Sequence, residues 1–177
     1  KKATQVAHSF DTGVMDAWHS YPALRSERGA ELFERLKPEL LARLAQADKP
    51  DEALLAFDGF LKGLPAGVQL FSLLKANPQL ADLLVTIVSV SPMLAAHLSR
   101  NAAVLDAVIG GDFFADWPGQ DALFQDLAER LAALDDYEAQ LDGTRAWARE
   151  WHFRIGVHHL RGLTDGARAS AQYSDLA

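Results

Sequence analysis

Proline set directly after a good helix cap is the feature that most restricts this chain. Asn77-Pro78 and Ser91-Pro92 each place a capping side chain before a proline at the first helical position, where the missing N–H costs nothing. Lys49-Pro50-Asp51-Glu52 opens a further helix, with carboxylates in the first turn where the macrodipole favours them. Leu36-Lys37-Pro38 is expected to divide what would otherwise be one long helix. Gly110-Gly111 reads as a C-cap supplying the left-handed conformation that ends a helix.

After these starts the apolar residues recur at helical spacing. Leu54, Phe57, Leu61 and Leu64 form one stripe, and Leu80, Leu83, Leu84, Ile87 and Val88 form another. Leu123, Leu127, Leu131 and Leu134 form a third. Val85-Thr86-Ile87-Val88-Ser89-Val90-Ser91 is β-branched and resembles a strand locally. It nevertheless continues the Leu80–Leu84 stripe in phase, and no partner strand exists elsewhere to satisfy its backbone. It is therefore assigned to helix. The phrases beginning Asn77-Pro78 and Ser91-Pro92 echo each other, but shared helix grammar accounts for this as well as duplication does.

The last third differs. No proline falls between Asp136 and Arg161, and Tyr137, Leu141, Trp147, Trp151 and Ile155 supply apolar anchors for one long helix. A final helix starts near Thr164 or Asp165 and runs to Leu176. Short helices are marginal alone because nucleation is costly, so their stability must come from packing on one another. The expected fold is all-α, a multi-helix array or bundle with a long helix in the C-terminal third and no significant sheet. The expected divisions are an array of short helices over 1–112, an aromatic loop over 113–119, and long helices over 120–177. Phe113, Phe114 and Trp117 in that loop point to anchoring against a helical surface, with ordinary core packing the plainer reading.

Composition narrows the function classes. A net charge of −7 over 177 residues argues against a nucleic-acid footprint, which needs a basic face. With no cysteine there is no disulfide, thiolate nucleophile or cysteine metal site, which fits a reducing, cytoplasmic compartment. No apolar run approaches the roughly 20 residues that cross a bilayer. The start, Lys1-Lys2-Ala3-Thr4, does not continue into a signal peptide, and a chain opening without Met reads as cut from something longer.

Candidate chemistry is sparse. His152, His158 and His159 lie six and one apart, so no two share a helical face at the i, i+3 or i+4 spacing of a metal pair. The same helix carries Arg145, Arg149, Arg154 and Arg161. Arg145 and Arg149 stand one turn apart, a strip suited to a carboxylate-rich partner or a phosphate, or else a solvated face balanced by Asp142 and Glu138. No Gly-x-Ser-x-Gly elbow, Walker loop or dinucleotide fingerprint is present. Gly110-Gly111-Asp112 invites comparison with nucleotidyltransferases, whose Gly-Gly or Gly-Ser pair precedes two carboxylates at alternate strand positions holding metal-bound triphosphate. The downstream candidate is Asp121-Ala122-Leu123-Phe124, where Leu123 occupies the second carboxylate's place. No catalytic, cofactor-binding or metal-ligating residue is assigned. Arg145, Arg149, Phe113, Phe114 and Trp117 are candidates for a partner surface.

Several phrases carry a resemblance. Tyr21-Pro22-Ala23-Leu24-Arg25-Ser26-Glu27-Arg28, Leu64-Pro65-Ala66-Gly67-Val68-Gln69-Leu70-Phe71-Ser72-Leu73-Leu74, Asn77-Pro78 with its Leu-rich helix, Glu150-Trp151-His152-Phe153-Arg154-Ile155-Gly156-Val157 and Tyr173-Ser174-Asp175-Leu176-Ala177 resemble, in order, glutamine synthetase adenylyltransferase. That family is bifunctional, with one nucleotidyltransferase domain adding AMP to glutamine synthetase and another removing it. The Gly-Ser…Asp-x-Asp signature of those domains matches no position here, so the chain resembles the helical region between them, ending before the second. The resemblance implies ATP and Mg2+ for the parent enzyme, flanking nucleotidyltransferase domains and glutamine synthetase as partners, and glutamine and the PII signalling protein as regulators. An independent helical module docking PII or glutamine synthetase is the competing expectation.

Overall fold

The computed structural model describes residues 8–109 and 112–177, so Lys1-Lys2-Ala3-Thr4 and the Gly110-Gly111 cap lie outside the described residues. Among the described residues there are ten α-helices and no strand. They are α1 (Thr12–Asp16), α2 (Glu27–Leu44), α3 (Pro50–Gly63), α4 (Val68–Ala76), α5 (Pro78–Val90), α6 (Pro92–Arg100), α7 (Leu105–Ile109), α8 (Gln120–Ala132), α9 (Tyr137–Leu160) and α10 (Gly166–Leu176). They form two compact units that divide between Ala102 and Ala103, so residues 113–119 lie within the second unit.

In the first unit α2 packs on α4 and α5, and α3 on α5 and α6. The two stripes expected on α3 and α5 are buried as read, from Leu54 to Leu64 and from Leu80 to Val88. The β-branched run is helical through Val90, where burial of Val85, Ile87 and Val88 outweighs strand propensity. Ser91 caps α6, its Oγ accepting from the Leu94 N–H at 3.3 Å. Asn77 does not cap α5 through its side chain. Its Nδ2 donates instead to the Leu73 carbonyl at 3.1 Å, closing the end of α4.

Pro38 does not divide a helix. α2 runs unbroken from Glu27 to Leu44, with Pro38 on the solvent face and Leu32, Phe33, Leu36, Leu40 and Leu44 buried along the other. Pro38 and Glu34, whose carbonyl loses its helical partner, are both exposed, so packing of five large side chains on the other face overrides the proline. At the core, Trp18 meets Phe33 and Phe57 edge-on at 5.5 and 5.6 Å, and Phe33 meets Phe71 at 5.3 Å. Asp58 receives both the Trp18 indole at 2.9 Å and the Tyr21 hydroxyl at 2.8 Å.

The phrases around Tyr21 and Gly67 prove to be two halves of one joint. A Cβ on Gly67 would strike the Ala23 carbonyl oxygen and the Phe71 ring, so only glycine lets these backbones meet. Gly63 plays a similar part beside Ser99, whose hydroxyl donates to the Phe60 carbonyl at 2.8 Å and binds α6 to α3.

The second unit is thinner. α9 spans Tyr137–Leu160 as one long helix, and α10 starts after Asp165, which caps the Arg168 N–H at 2.8 Å. The third expected stripe is only partly core. Leu123 is buried, but Leu127, Leu131 and Leu134 are half-buried, because α9 covers one flank of α8. Tyr137 and Leu141 are not core anchors either: they are 75% and 36% exposed at the start of α9. Trp147 and Ile155 are buried as expected.

Candidate functional site

The second unit gathers most of the singled-out residues around α9. Gly143 of α9 faces the side chains of Leu131 and Leu134, a Cβ there falling 3.6 Å and 2.9 Å from their methyl groups. Trp147 then reaches across, its indole donating to Asp126 at 2.7 Å. Arg130 ties Asp126 on its own helix and Glu150 on α9, at 3.2 and 3.3 Å.

The aromatic loop is clamped onto α9 and α10. Phe113 is buried beside Phe153 and His158, and Phe114 is 48% exposed with its ring stacked on His158. Trp117 meets Trp151 edge-on at 5.5 Å and donates to Asp175 of α10 at 3.0 Å. Arg154 lies over the Trp151 ring at 4.6 Å and donates to the Ala115 carbonyl at 2.9 Å. Burial lowers the pKa of Arg154, and the nearby Asp112 charge works against that shift. Burial raises that of Tyr173, which packs on His152 at 5.0 Å.

The three histidines are each drawn into packing. His152 lies against Tyr173, while Nε2 of His158 faces the Phe113 carbonyl and Nδ1 of His159 faces the Thr164 carbonyl at 3.2 Å. A carbonyl only accepts, so those ring nitrogens carry the donated protons. Among the described residues no three His, Asp or Glu side chains converge to hold a metal ion.

The arginine strip divides. Arg154 turns into the loop, whereas Arg145 and Arg149 stay exposed on another face of α9. Arg145 pairs with Asp142 at 3.0 Å; Arg149 makes no ion pair among the described residues. Of the loop aromatics, Phe114 presents the most open ring. Beside it lies a groove of about 430 Å³ lined by Trp117, His158, Thr164, Arg168 and Asp175, with the Thr164 hydroxyl buried and without a hydrogen-bond partner among the described residues. A second groove of about 730 Å³ lies in the first unit, lined by Arg43, Lys49, Glu52, Asp82 and Thr86.

Asp58, Asp126 and Asp175 were not singled out in the sequence. Each accepts from a tryptophan indole, at 2.9, 2.7 and 3.0 Å, so three of the four tryptophans are pinned by a carboxylate. A buried indole N–H needs an acceptor, and that was the available signal. The partner was not legible, because the pairs are 40, 21 and 58 residues apart.

What this geometry defines is an all-α fold in which three part-buried carboxylates each accept from a tryptophan indole, one of them joining α8 to α9. The glutamate-ammonia ligase adenylyltransferase family model matches residues 81–177, and this chain belongs to that family. The bifunctional glutamine synthetase adenylyltransferase/adenylyl-removing enzyme of Brucella melitensis biotype 1 is 43% identical over 166 residues, which is 93% of this chain and 17% of the relative. The same enzyme of Brucella suis biovar 1 is 42% identical and that of Mesorhizobium japonicum 41%, with the same coverage. The chain thus spans about 17% of the length of these relatives.

Proposed function

We propose that the chain is a non-catalytic helical segment of a glutamine synthetase adenylyltransferase, positioning the adenylylating and deadenylylating domains that act on glutamine synthetase. One observation supports this most. The carboxylates at the helix junctions are taken up by indole, phenol and guanidinium partners, as Asp58, Asp126 and Asp175 illustrate. A nucleotidyltransferase needs two carboxylates free to grip metal-bound triphosphate. On this reading ATP and Mg2+ belong to the parent enzyme, and among the described residues no three His, Asp or Glu side chains converge on a metal site. Among the described residues no single helix is long and apolar enough to cross a membrane, in keeping with a cytoplasmic role in nitrogen control.

The test is an AMP-transfer assay of this chain with glutamine synthetase, ATP and Mg2+. No labelled glutamine synthetase should form, and measurable turnover would defeat the proposal. A second reading, a docking module for PII or glutamine synthetase, draws on the exposed Arg149 beside Arg145. It requires salt-sensitive binding by the chain alone that Arg145→Glu with Arg149→Glu abolishes.

A further inference from the structure

The groove beside Phe114 carries opposite charges at its two ends. Its walls, both in the second unit, run side by side. The Phe114 ring stacks on His158 and the Trp117 ring meets Trp151, so the loop runs back along α9. α10 does the same: a Cβ on Gly166 falls 3.9 Å from the His159 imidazole, and the Tyr173 hydroxyl donates to the His152 carbonyl at 3.4 Å. Arg168, Ala171, Gln172 and Asp175 line the groove at i, i+3, i+4 and i+7, one face of α10. Thr164 and Arg168 thus stand at the Phe114 end. Asp175 stands at the other, where it accepts from Trp117, with Asp116 next in the chain. Seven residues at about 1.5 Å of rise set positions 168 and 175 about 10 Å apart.

The groups lining this groove have bonding capacity left over. Thr164 is 8% exposed, yet its hydroxyl has no hydrogen-bond partner among the described residues, a costly state for a buried polar group. Arg168 makes one long ion pair, to Asp165 at 3.9 Å, and is otherwise unpaired among the described residues. Asp116 makes no ion pair and the Gln172 side chain no hydrogen bond among them. Asp175 gives Trp117 only its Oδ2, which leaves Oδ1 open. A simple anion or a simple cation answers one end and leaves the other. A ligand with a carboxylate and a cation about 10 Å apart answers both. Extended peptide covers that distance in about three residues at about 3.3 Å each, and side chains two apart project to the same side.

We propose that this groove recognises an extended protein segment carrying an acidic and a basic side chain two residues apart. Arg168 and the Thr164 hydroxyl receive the carboxylate, and Asp116 and Asp175 receive the cation. The Gln172 amide, a donor and an acceptor, pairs with the peptide group between them, and the open Phe114 ring packs on the apolar stem. The site uses neither Arg145 nor Arg149, and it stands whether or not the chain positions adenylylating domains.

The experiment titrates the isotope-labelled full chain with the capped peptide acetyl-Ala-Glu-Ala-Lys-Ala-amide and follows the backbone amide signals by NMR. Saturable shifts confined to residues 114–117 and 164–175 are expected. Glu replaced by Gln in the peptide, or Arg168→Glu in the chain, should each weaken binding about fivefold or more, and both together should do little further harm. Lys replaced by Gln in the peptide and Asp116→Lys in the chain should form a second such pair. Arg168 and Asp116 are both exposed, so unchanged signals elsewhere verify the fold of each variant. The proposal is overturned by the absence of saturable shifts, by shifts outside the groove, or by affinity indifferent to Arg168→Glu. Loss of binding on Arg145→Glu with Arg149→Glu would overturn it as well, by assigning the peptide to the strip on α9.

Discussion

The first unit is held chiefly by a large apolar core, whereas the second adds to a smaller core polar ties from tryptophan indoles to carboxylates and from an arginine to a ring. Among the described residues, the buried apolar side chains of the second unit are Val104, Leu105, Phe113, Leu123, Trp147, Phe153, Ile155, Val157 and Ala169; the others lie in the first. The first unit interlocks five aromatic rings, Trp18, Phe33, Phe57, Phe60 and Phe71, brings two backbones together at Gly67 and seats the Ser99 side chain against Gly63. The second rests on Trp147–Asp126, Trp117–Asp175 and Arg154 over Trp151. Apolar burial is non-directional and tolerates small shifts; a hydrogen bond to an indole demands one geometry. The chain thus combines a unit held by dense apolar packing with one whose arrangement a few directional contacts specify.

The largest expected effect breaks the first side of this contrast. Phe33→Ala removes a ring 1% exposed and touching three others, and should cost about 3–5 kcal/mol in denaturant unfolding. A loss below about 1 kcal/mol would mean the core is looser than described. In the second unit, Asp126→Ala strands the Trp147 indole and should cost about 1–3 kcal/mol, while Asp126→Asn, which keeps an acceptor, should cost clearly less. Equal losses in both variants would show that charge, not the hydrogen bond, holds α8 to α9.

Smaller effects sharpen the contrast. Arg154→Ala loses its bond to Ala115 and its seat on Trp151, for about 1 kcal/mol, whereas Arg149→Ala should stay within about 0.5 kcal/mol. Hydrogen exchange in residues 112–119 should quicken only in the first. The least effect is in pH. Tyr21, through burial and its bond to Asp58, and Tyr173, through burial, have pKa values raised above the ordinary 10.0. A raised folded pKa favours the neutral phenol, so the resulting stability is full below pH ~10 and is lost as pH rises through the folded values. Tyrosinate absorbance should rise earlier in the unfolded chain than in the folded one; coincident curves would remove both contributions.

Helix starts and stripes were legible because caps, prolines and periodicity act within a few residues of chain. Pro50, Pro78 and Pro92 open helices as read, and the Leu54 and Leu80 stripes are core. Pro38 departs from the expected break because whether a proline ends a helix depends on which face meets water, and a local pattern does not state that. Tyr137 and Leu141 depart from the expected anchoring for a related reason, and the Leu127–Leu131 stripe is covered only in part. Periodicity says that a face is apolar, not that another element covers it.

The candidate surface divides the same way. The i, i+4 pairing of Arg145 and Arg149 was plain from spacing, and both are exposed on α9. That Arg154 leaves this strip for the loop, that Phe113 is buried while Phe114 is half open, and that three aspartates pin three indoles were decided only by folding. By itself the sequence determined the helices and the family phrases, since both are carried by neighbours along the chain. The tertiary structure decided which polar groups meet and which apolar faces stay open, because those outcomes depend on residues tens of positions apart coming within 3 Å or failing to.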